Sequence, residues 1–267
     1  MHTEANTYQL SYNDPWLQAA RNASLLGFTY PGAKNQLAKY ILPHMPPRGR
    51  TYCEPFTGLG AIYWKMALSS EYEEWRINDI RMHSFFRALS THGNTIQVPA
   101  RSHEEFQRQK AAFALGDPVA ILLGPYFSFN GGFYSKGMRQ DKGSITAASY
   151  EARLRMAHAI VSFTQPTITA VDWKLVVADL GPDDFVYFDP PYAGCNVGSY
   201  RADDLNHEEL VEELRGAPYR WLLSEYEHPV YARLGSPFWR REVQLRTTNF
   251  RSDGGQGRRT ECLWRNY

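Results

Sequence analysis

Asp189-Pro190-Pro191-Tyr192 is the stretch of this chain whose residue types and order most directly suggest chemistry. Two prolines fix the backbone and supply no N–H groups, so the segment offers carbonyl acceptors beside a carboxylate. A carboxylate and a neighbouring carbonyl suit a group with two N–H donors, such as the exocyclic amine of a nucleobase. Tyr192 adds an aromatic face on which that base could stack. The apolar run Phe185-Val186-Tyr187-Phe188 just before reads as a buried strand. The four residues would then stand at a strand's C-terminal end, where α/β sheets open onto their ligand crevice.

A second constellation lies upstream. Tyr52-Cys53-Glu54 reads as a short strand that runs into Pro55-Phe56-Thr57-Gly58-Leu59-Gly60, and Ala61 to Leu68 has helical composition. A strand, a glycine turn and a helix N-terminus form a cofactor cradle, because glycine lets the backbone approach a ligand closely. Gly58 and Gly60 are present, but Tyr63 stands where a dinucleotide fingerprint has its third glycine. This argues for a smaller nucleoside cofactor. Asp79 ends the next strand, Trp75 to Asp79, and is placed to accept ribose hydroxyls.

The two halves make one chemistry. An aromatic amine is a poor nucleophile because its lone pair is delocalised into the ring. If Asp189 and the Pro190 carbonyl accept both hydrogens, the nitrogen is favoured as pyramidal, with its lone pair aimed at a methyl sulfonium. The charged sulfur is a good leaving group, so positioning does most of the work and no covalent intermediate is required. A base inside a duplex is out of reach, so the nucleotide would flip out and be held on Tyr192.

Elements able to position these groups can be read along the 267 residues. Residues 1–26 are polar and unpatterned, a leader or surface wrap. Tyr30 to Lys34 form a turn before an amphipathic stretch, Asn35 to Leu42, ended by Pro43. Helical stretches at Ser102 to Leu115 and Ala147 to Ser162 flank a loop, Tyr126 to Ser144, rich in Gly, aromatics and cations. Strands resume at Thr167 to Val171 and Phe185 to Phe188; a helix at Asn206 to Arg215 leads to a strand at Tyr219 to Ser224. Trp239 to Thr248 and Thr260 to Arg265 read as an antiparallel hairpin. Strands alternating with helices predict an α/β protein with a mostly parallel sheet covered on both faces. The helical middle reads as an insertion.

Composition bounds the setting. With 43% hydrophobic residues the chain can bury a full core. Mean hydropathy is −0.49, and no apolar run approaches the roughly 18 residues that cross a bilayer. No secretion-signal pattern opens the chain, so no membrane association and a cytoplasmic location are expected. Cys53, Cys195 and Cys262 are isolated and the eight histidines scattered, so neither disulfides nor a metal is expected. Net charge is only +1, yet Arg233 to Arg265 holds eight arginines against Glu242, Asp253 and Glu261. Asp203, Asp204, Glu208, Glu209, Glu212 and Glu213 form an acidic block without Lys or Arg among them. The separation fits either a basic face for phosphates or two solvated surfaces of opposite sign.

Taken in order, the motifs resemble the Dam-type N6-adenine DNA methyltransferases over residues 27–267. The marks are Tyr30-Pro31-Gly32-Ala33-Lys34, Glu54-Pro55-Phe56-Thr57-Gly58-Leu59-Gly60, Asn78-Asp79, Phe129-Asn130-Gly131 and Val171-Asp172-Trp173. Asp189-Pro190-Pro191-Tyr192, Leu222-Leu223-Ser224 and Arg259 to Asn266 complete them. The resemblance implies the class I S-adenosylmethionine-dependent methyltransferase fold, a Rossmann-like mixed sheet with a C-terminal antiparallel hairpin. The catalytic domain would comprise residues 27–84 and 165–267, and a mainly helical target-recognition domain residues 85–164. S-adenosylmethionine would be the cofactor and double-stranded DNA the partner, in a bacterial, archaeal or phage-infected cell, with the chain a monomer or weak dimer. By the resemblance, Tyr30 and Lys34 contact the methionine end of the cofactor, and Glu54, Phe56, Gly58 and Gly60 line its pocket. Asp79 holds the ribose and Asp172 the cofactor's adenine amine, while Asp189, Pro190 and Tyr192 bind the target base.

Two departures are visible. Ala33 replaces a family glycine, and Gly132 to Gly137 lacks the Arg and Asn run of members that read GATC, so that specificity is not implied. Asn130, Lys136, Arg139 and Lys142 in the insert, with Arg258 and Arg259 in the hairpin, are candidate DNA contacts. N4-cytosine methylation uses the same amine chemistry and stays open, as do methylation of RNA or of a protein glutamine and an idle DNA-binding regulator. Whether a restriction enzyme accompanies the chain is a separate matter of restriction-modification context.

Overall fold

A computed structural model describes residues 28, 32–135, 137–139, 145–195, 205–244 and 258–267. Along the chain come α1 (Ala38–Ile41), β1 (Arg48–Glu54), α2 (Tyr63–Ser69), β2 (Glu71–Asn78), α3 (His83–His92), α4 (His103–Ala114), α5 (Pro118–Phe127) and α6 (Ala147–Thr164). They are followed by β3 (Thr167–Thr169), α7 (Trp173–Val177), β4 (Phe185–Phe188), α8 (His207–Gly216), β5 (Arg220–Tyr226), β6 (Trp239–Gln244) and β7 (Arg258–Arg265). Two compact units form. One contains the described residues of 1–35, with those of Leu59–Ser70 and Met82–Pro166; the other contains Gln36–Gly58, Glu71–Arg81 and the described residues of Thr167–Tyr267. These borders differ from domain borders at 84 and 165, because α2 clusters with the helical segment.

The sheet lies wholly in the second unit, in the order β3-β2-β1-β4-β5-β7-β6. β1 pairs in parallel with β2 and β4, and β4 with β5, whereas β7 runs antiparallel between β5 and β6. This seven-stranded, mostly parallel sheet with its C-terminal hairpin is the class I methyltransferase arrangement. The chain turns outward in opposite directions from β1 and β4, so their C-terminal ends mark the switch point where such sheets bind ligands. Alternation then assigns the faces. Cys53, Val186, Phe188 and Leu223 pack under α7 and α8 with Trp173, Val177, Leu210 and Leu214. The opposite face carries Tyr52, whose ring meets those of Trp75 and Phe185 at 5.1 and 6.0 Å. Because β4 is buried on both faces, its sequence is an unbroken apolar run.

Local chemistry sets the helix ends in this unit. Asp172 caps α7, accepting from the Lys174 N–H, and Asn206 caps α8, accepting from the Glu209 N–H. Glu208 and Glu209 in the first turn of α8 and Arg215 in the last suit its dipole. The acidic block does not stand apart from the basic run: Glu212 pairs with Arg233, and Glu209 pairs with Lys174 at 2.8 Å.

Asp184 fastens the start of β4. Its buried carboxylate accepts from Arg50 Nε at 2.8 Å, Arg50 Nη2, the Thr51 N–H at 3.0 Å and the Gly181 N–H at 2.7 Å. Burial on its own would raise the pKa of this group. Hydrogen bonds from Arg50, Gly181 and Thr51, with the Arg50 charge, outweigh it and hold the carboxyl at about 2. Its stabilisation is therefore complete above the unfolded value of roughly 3.9 and lost as pH falls through about 2. Asp184→Ala is expected to destabilise the fold by about 2–3 kcal/mol, since it leaves a buried N–H without its acceptor. Urea denaturation at pH 7 measures this, and a change within error refutes it.

The first unit is helical. Phe28, Trp64 and Phe85 pack together, with Phe28 meeting Phe85 at 5.0 Å, and Trp64 stacks on Phe86 at 5.3 Å. Tyr63 bonds to Thr164 across its two hydroxyls at 2.5 Å, which fastens α2 to α6. Ser102, Asp117 and Thr146 cap α4, α5 and α6. Gln165 ends α6 in the left-handed region, φ 44°, and Pro166 prevents continuation. Among the described residues no helix is long and apolar enough to cross a membrane.

Candidate active site

β4 delivers Asp189-Pro190-Pro191-Tyr192 beyond its C-terminal end. Pro190 is buried, and Asp189, Pro191 and Tyr192 are half-buried. Around them stand the Tyr187 hydroxyl of β4, the Ser224 hydroxyl of β5 and the Glu261 carboxylate of β7. Asp189 Oδ1 lies 3.2 Å from Ser224 Oγ on β5, and Ser224 Oγ lies 2.9 Å from the Tyr187 hydroxyl. The Tyr192 hydroxyl lies 2.5 Å from Glu261 Oε1 on β7 and 3.1 Å from Ser224 Oγ. Burial, then the charges of Glu261 and Asp189, push the Tyr192 phenol well above its usual pKa, so it stays protonated. Its ring is held edge-on to Tyr226 at 4.6 Å. One residue on, the Ala193 N–H donates to Glu225 Oε2 at 3.1 Å, a fully buried carboxyl that also accepts from Tyr231 OH and the Tyr226 N–H.

Glu54 ends β1, the neighbour of β4, and is 2% exposed. Tyr52 OH donates to it at 2.5 Å. Burial pushes its carboxyl up to about 8; the Tyr52 hydrogen bond opposes this and the Asp189 charge adds to it. Among the described residues no lysine or arginine pairs with it. A buried acid held short of ionisation beside a second acid suits a cationic ligand.

The glycine turn follows. Gly58 has φ 56°, and its N–H donates to Asp79 Oδ2 at 3.0 Å, while Asp79 Oδ1 accepts from the Arg81 N–H at 2.8 Å. Asp79 therefore also shapes the loop it was expected to serve. Asn78 braces the same loops: its Nδ2 donates to the carbonyls of Pro55 and Val171, and its Oδ1 accepts from the Val171 N–H and Thr169 hydroxyl. Phe56 is half-buried over Trp173 and Phe188. Asp172 remains exposed at 53% while capping α7. Glu54, Phe56, Gly58, Asp79, Asp172, Asp189 and Tyr192 thus gather at the C-terminal end of one sheet, within one unit.

Gly60 and Lys34 belong to the helical unit. Gly60 has φ 74°, and a Cβ there would fall 2.8 Å from Trp64 Nε1, so packing as well as conformation calls for glycine. Lys34 is buried and donates to the Gly32 carbonyl at 3.1 Å. Asn130 sits in a 3-10 turn, Phe129–Gly131, and Arg139 is half-buried, its N–H bonded to the Phe127 carbonyl. Tyr30, Lys136 and Lys142 lie outside the described residues. In the hairpin, Arg258 is exposed and 3.5 Å from Glu242. Arg259 lies beside the buried Cys195 thiol.

Several residues around the site escape a sequence reading. Tyr187, Glu225 and Glu261 look like parts of apolar strands; the only signal is an acid standing where a buried strand should have none. Ile80, next to Asp79, is apolar yet 59% exposed at the mouth of β2. Among the described residues no group of His, Cys, Asp or Glu side chains could hold a metal ion.

Residues 30–111 match the family model described as D12 class N6 adenine-specific DNA methyltransferase. The chain is also 22% identical over 273 residues to the type II methyltransferase M1.LlaDCHI of Lactococcus lactis subsp. cremoris, covering 88% of this chain and 93% of that protein. The matched segment, the motif order and the sheet agree in likening this chain to the D12 class N6 adenine-specific DNA methyltransferases.

Proposed function

We propose that S-adenosylmethionine is the methyl donor and that the acceptor is an adenine flipped out of double-stranded DNA into the cleft at Asp189–Tyr192. The observation that carries this reading is the pairing of two acids at the switch point: Asp189 half-buried beside Ser224, and Glu54 buried with no basic partner among the described residues. The donor supplies a methyl group activated by a sulfonium. Glu54, Phe56, Gly58 and Asp79 would hold it, Asp79 through its ribose hydroxyls and Asp172 through its adenine amine. Ile80 offers an apolar surface beside them.

Asp189 and the Pro190 carbonyl accept the two N6 hydrogens and turn the nitrogen lone pair toward the methyl group. Tyr192, its hydroxyl tied to Glu261, lays its ring against the base. As the N–C bond forms and the S–C bond breaks, one amine proton becomes acidic and passes to Asp189 or to water. The two prolines keep the acceptors in place, so positioning rather than covalent chemistry lowers the barrier.

Incubating the protein with methyl-labelled S-adenosylmethionine and unmethylated bacterial DNA, then analysing nucleosides, tests the assignment. Labelled N6-methyladenine is expected. Labelled N4-methylcytosine would move the acceptor to cytosine, and the absence of label from intact duplex but not from single strands would remove the flipping step.

A further inference from the structure

We propose that Ser224 is a positioning residue for methyl transfer: its hydroxyl orients the Asp189 carboxylate, as part of a clamp in which Glu261 orients Tyr192. This rests on the reading of Asp189 and Tyr192 as the residues that take the base.

The argument is one of counting hydrogens. Ser224 Oγ lies within hydrogen-bond distance of Asp189 Oδ1, Tyr187 OH and Tyr192 OH. A serine hydroxyl has a single hydrogen to give and two lone pairs to receive with. An ionised carboxylate only accepts, so at the Ser224–Asp189 contact the hydrogen must come from serine. Tyr192 spends its own hydrogen on Glu261, the shorter of its contacts at 2.5 Å. Tyr187 then donates to Ser224. The result is a directed chain, Tyr187 to Ser224 to Asp189, beside a second bond, Tyr192 to Glu261. Both donors of the chain come from strands: Tyr187 from the buried β4, Ser224 from the middle of β5 and fully buried.

Strand register explains why these residues meet. Leu223 pairs with Phe188, so Ser224 is level with the first residue past the end of β4, which is Asp189. On the other side Ser224 pairs with Leu263 and Tyr226 with Glu261, which brings the Glu261 carboxylate within reach of Tyr192. β5 continues one residue further to Glu225, which holds the Ala193 N–H. The loop that carries the base-binding groups is therefore held at its beginning, middle and end by the two strands beside it. A carboxylate at the end of a strand would otherwise rotate about its terminal torsion, which is broad. A hydrogen bond to one oxygen narrows that rotation and aims the group at the amine, a benefit expressed in the chemical step more than in binding of the donor.

The test compares Ser224→Ala with Ser224→Thr, which keeps the hydroxyl, in steady-state methylation of duplex DNA. Ser224→Ala is expected to lower kcat by about 10- to 100-fold, the range for loss of one oriented hydrogen bond at the reacting group, with the KM for S-adenosylmethionine within about twofold of the parent. Ser224→Thr should recover most of kcat. Glu261→Gln, whose amide oxygen still accepts from Tyr192, should stay closer to the parent than Glu261→Leu. Urea midpoints are measured alongside, because a role in packing alone would lower stability without the split between kcat and KM. Unchanged kcat in Ser224→Ala, or equal losses in the Ala and Thr variants, overturns the proposal. A parent protein that makes no methyladenine would instead sink the underlying reading and leave hydroxyl geometry out of the question.

Discussion

Asp189→Ala is expected to reduce N6-methyladenine formation by at least about 10³-fold while leaving the fold intact. The variant removes an acceptor of an amine hydrogen in the step where nitrogen charge develops, where a single preorganised group contributes about 10²- to 10³-fold. It also removes the group best placed to relieve the product of its extra proton, typically another 10²-fold or more. The side chain is half-buried, and Ser224 keeps Tyr187 and Tyr192 within hydrogen-bond distance when the carboxylate is removed. Asp189→Asn should fall between the two, since an amide oxygen still accepts one hydrogen but cannot take a proton. Nucleoside analysis of DNA from cells expressing each variant gives the readout. Methylation in Asp189→Ala within tenfold of the parent would remove Asp189 from the chemistry.

The second large effect concerns Glu54 and pH. At pH 7 a carboxyl with its pKa pushed up to about 8 is mostly protonated. The groups facing it are Tyr52, which donates a hydrogen bond, and Asp189, which repels its charge. A cationic donor placed against Glu54 would favour the ionised form, so donor binding should release a proton. Affinity for S-adenosylmethionine is then expected to rise with pH and level off above about 8, by roughly 30-fold between pH 6.5 and 9 if binding requires the carboxylate. Glu54→Gln should bind weakly and show a flat profile. Calorimetry in two buffers of different ionisation enthalpy counts the proton directly, and no release at pH 7 contradicts the coupling. The sign for stability is the reverse. With its folded value raised above the unfolded one, Glu54 favours the folded state below roughly pH 4.3 and loses that contribution as pH rises through about 8. Glu54→Gln should therefore resist urea better than the parent at pH 9.

Much of this molecule is legible in its residues. β4 reads as a strand because burial on both faces demands an unbroken apolar run, and its boundaries, Phe185 to Phe188, are those of the structure. Ser102, Asn206 and Asp172 cap helices through side-chain oxygens, so the starts of α4 and α8 follow from composition. The periodicity that marks α4 and α6 passes over α5, Pro118–Phe127, because that helix is apolar nearly all round and contains Gly124 and Pro125. A loop expected from Tyr126 therefore begins after Phe127.

At the base-binding segment, the order Asp189-Pro190-Pro191-Tyr192 is enough to name an acceptor edge and an aromatic face, since both are properties of residue types one or two positions apart. What aims those groups depends on strand register. Ser224 and Glu261 lie 35 and 69 residues from their partners, Asp189 and Tyr192, and only the pairing of β4 with β5 and of β5 with β7 makes them neighbours. The same holds for Glu54, whose carboxyl is ordinary in the sequence and is turned toward the neutral form only by the burial that folding imposes. Arg259 looks like one more cation for phosphates, and only the fold shows that it also lies beside Cys195. Residue type determined which groups could accept an amine and hold a nucleoside; long-range packing decided which way they point and which of them carry charge, because orientation and desolvation belong to neighbours that the chain supplies from far away.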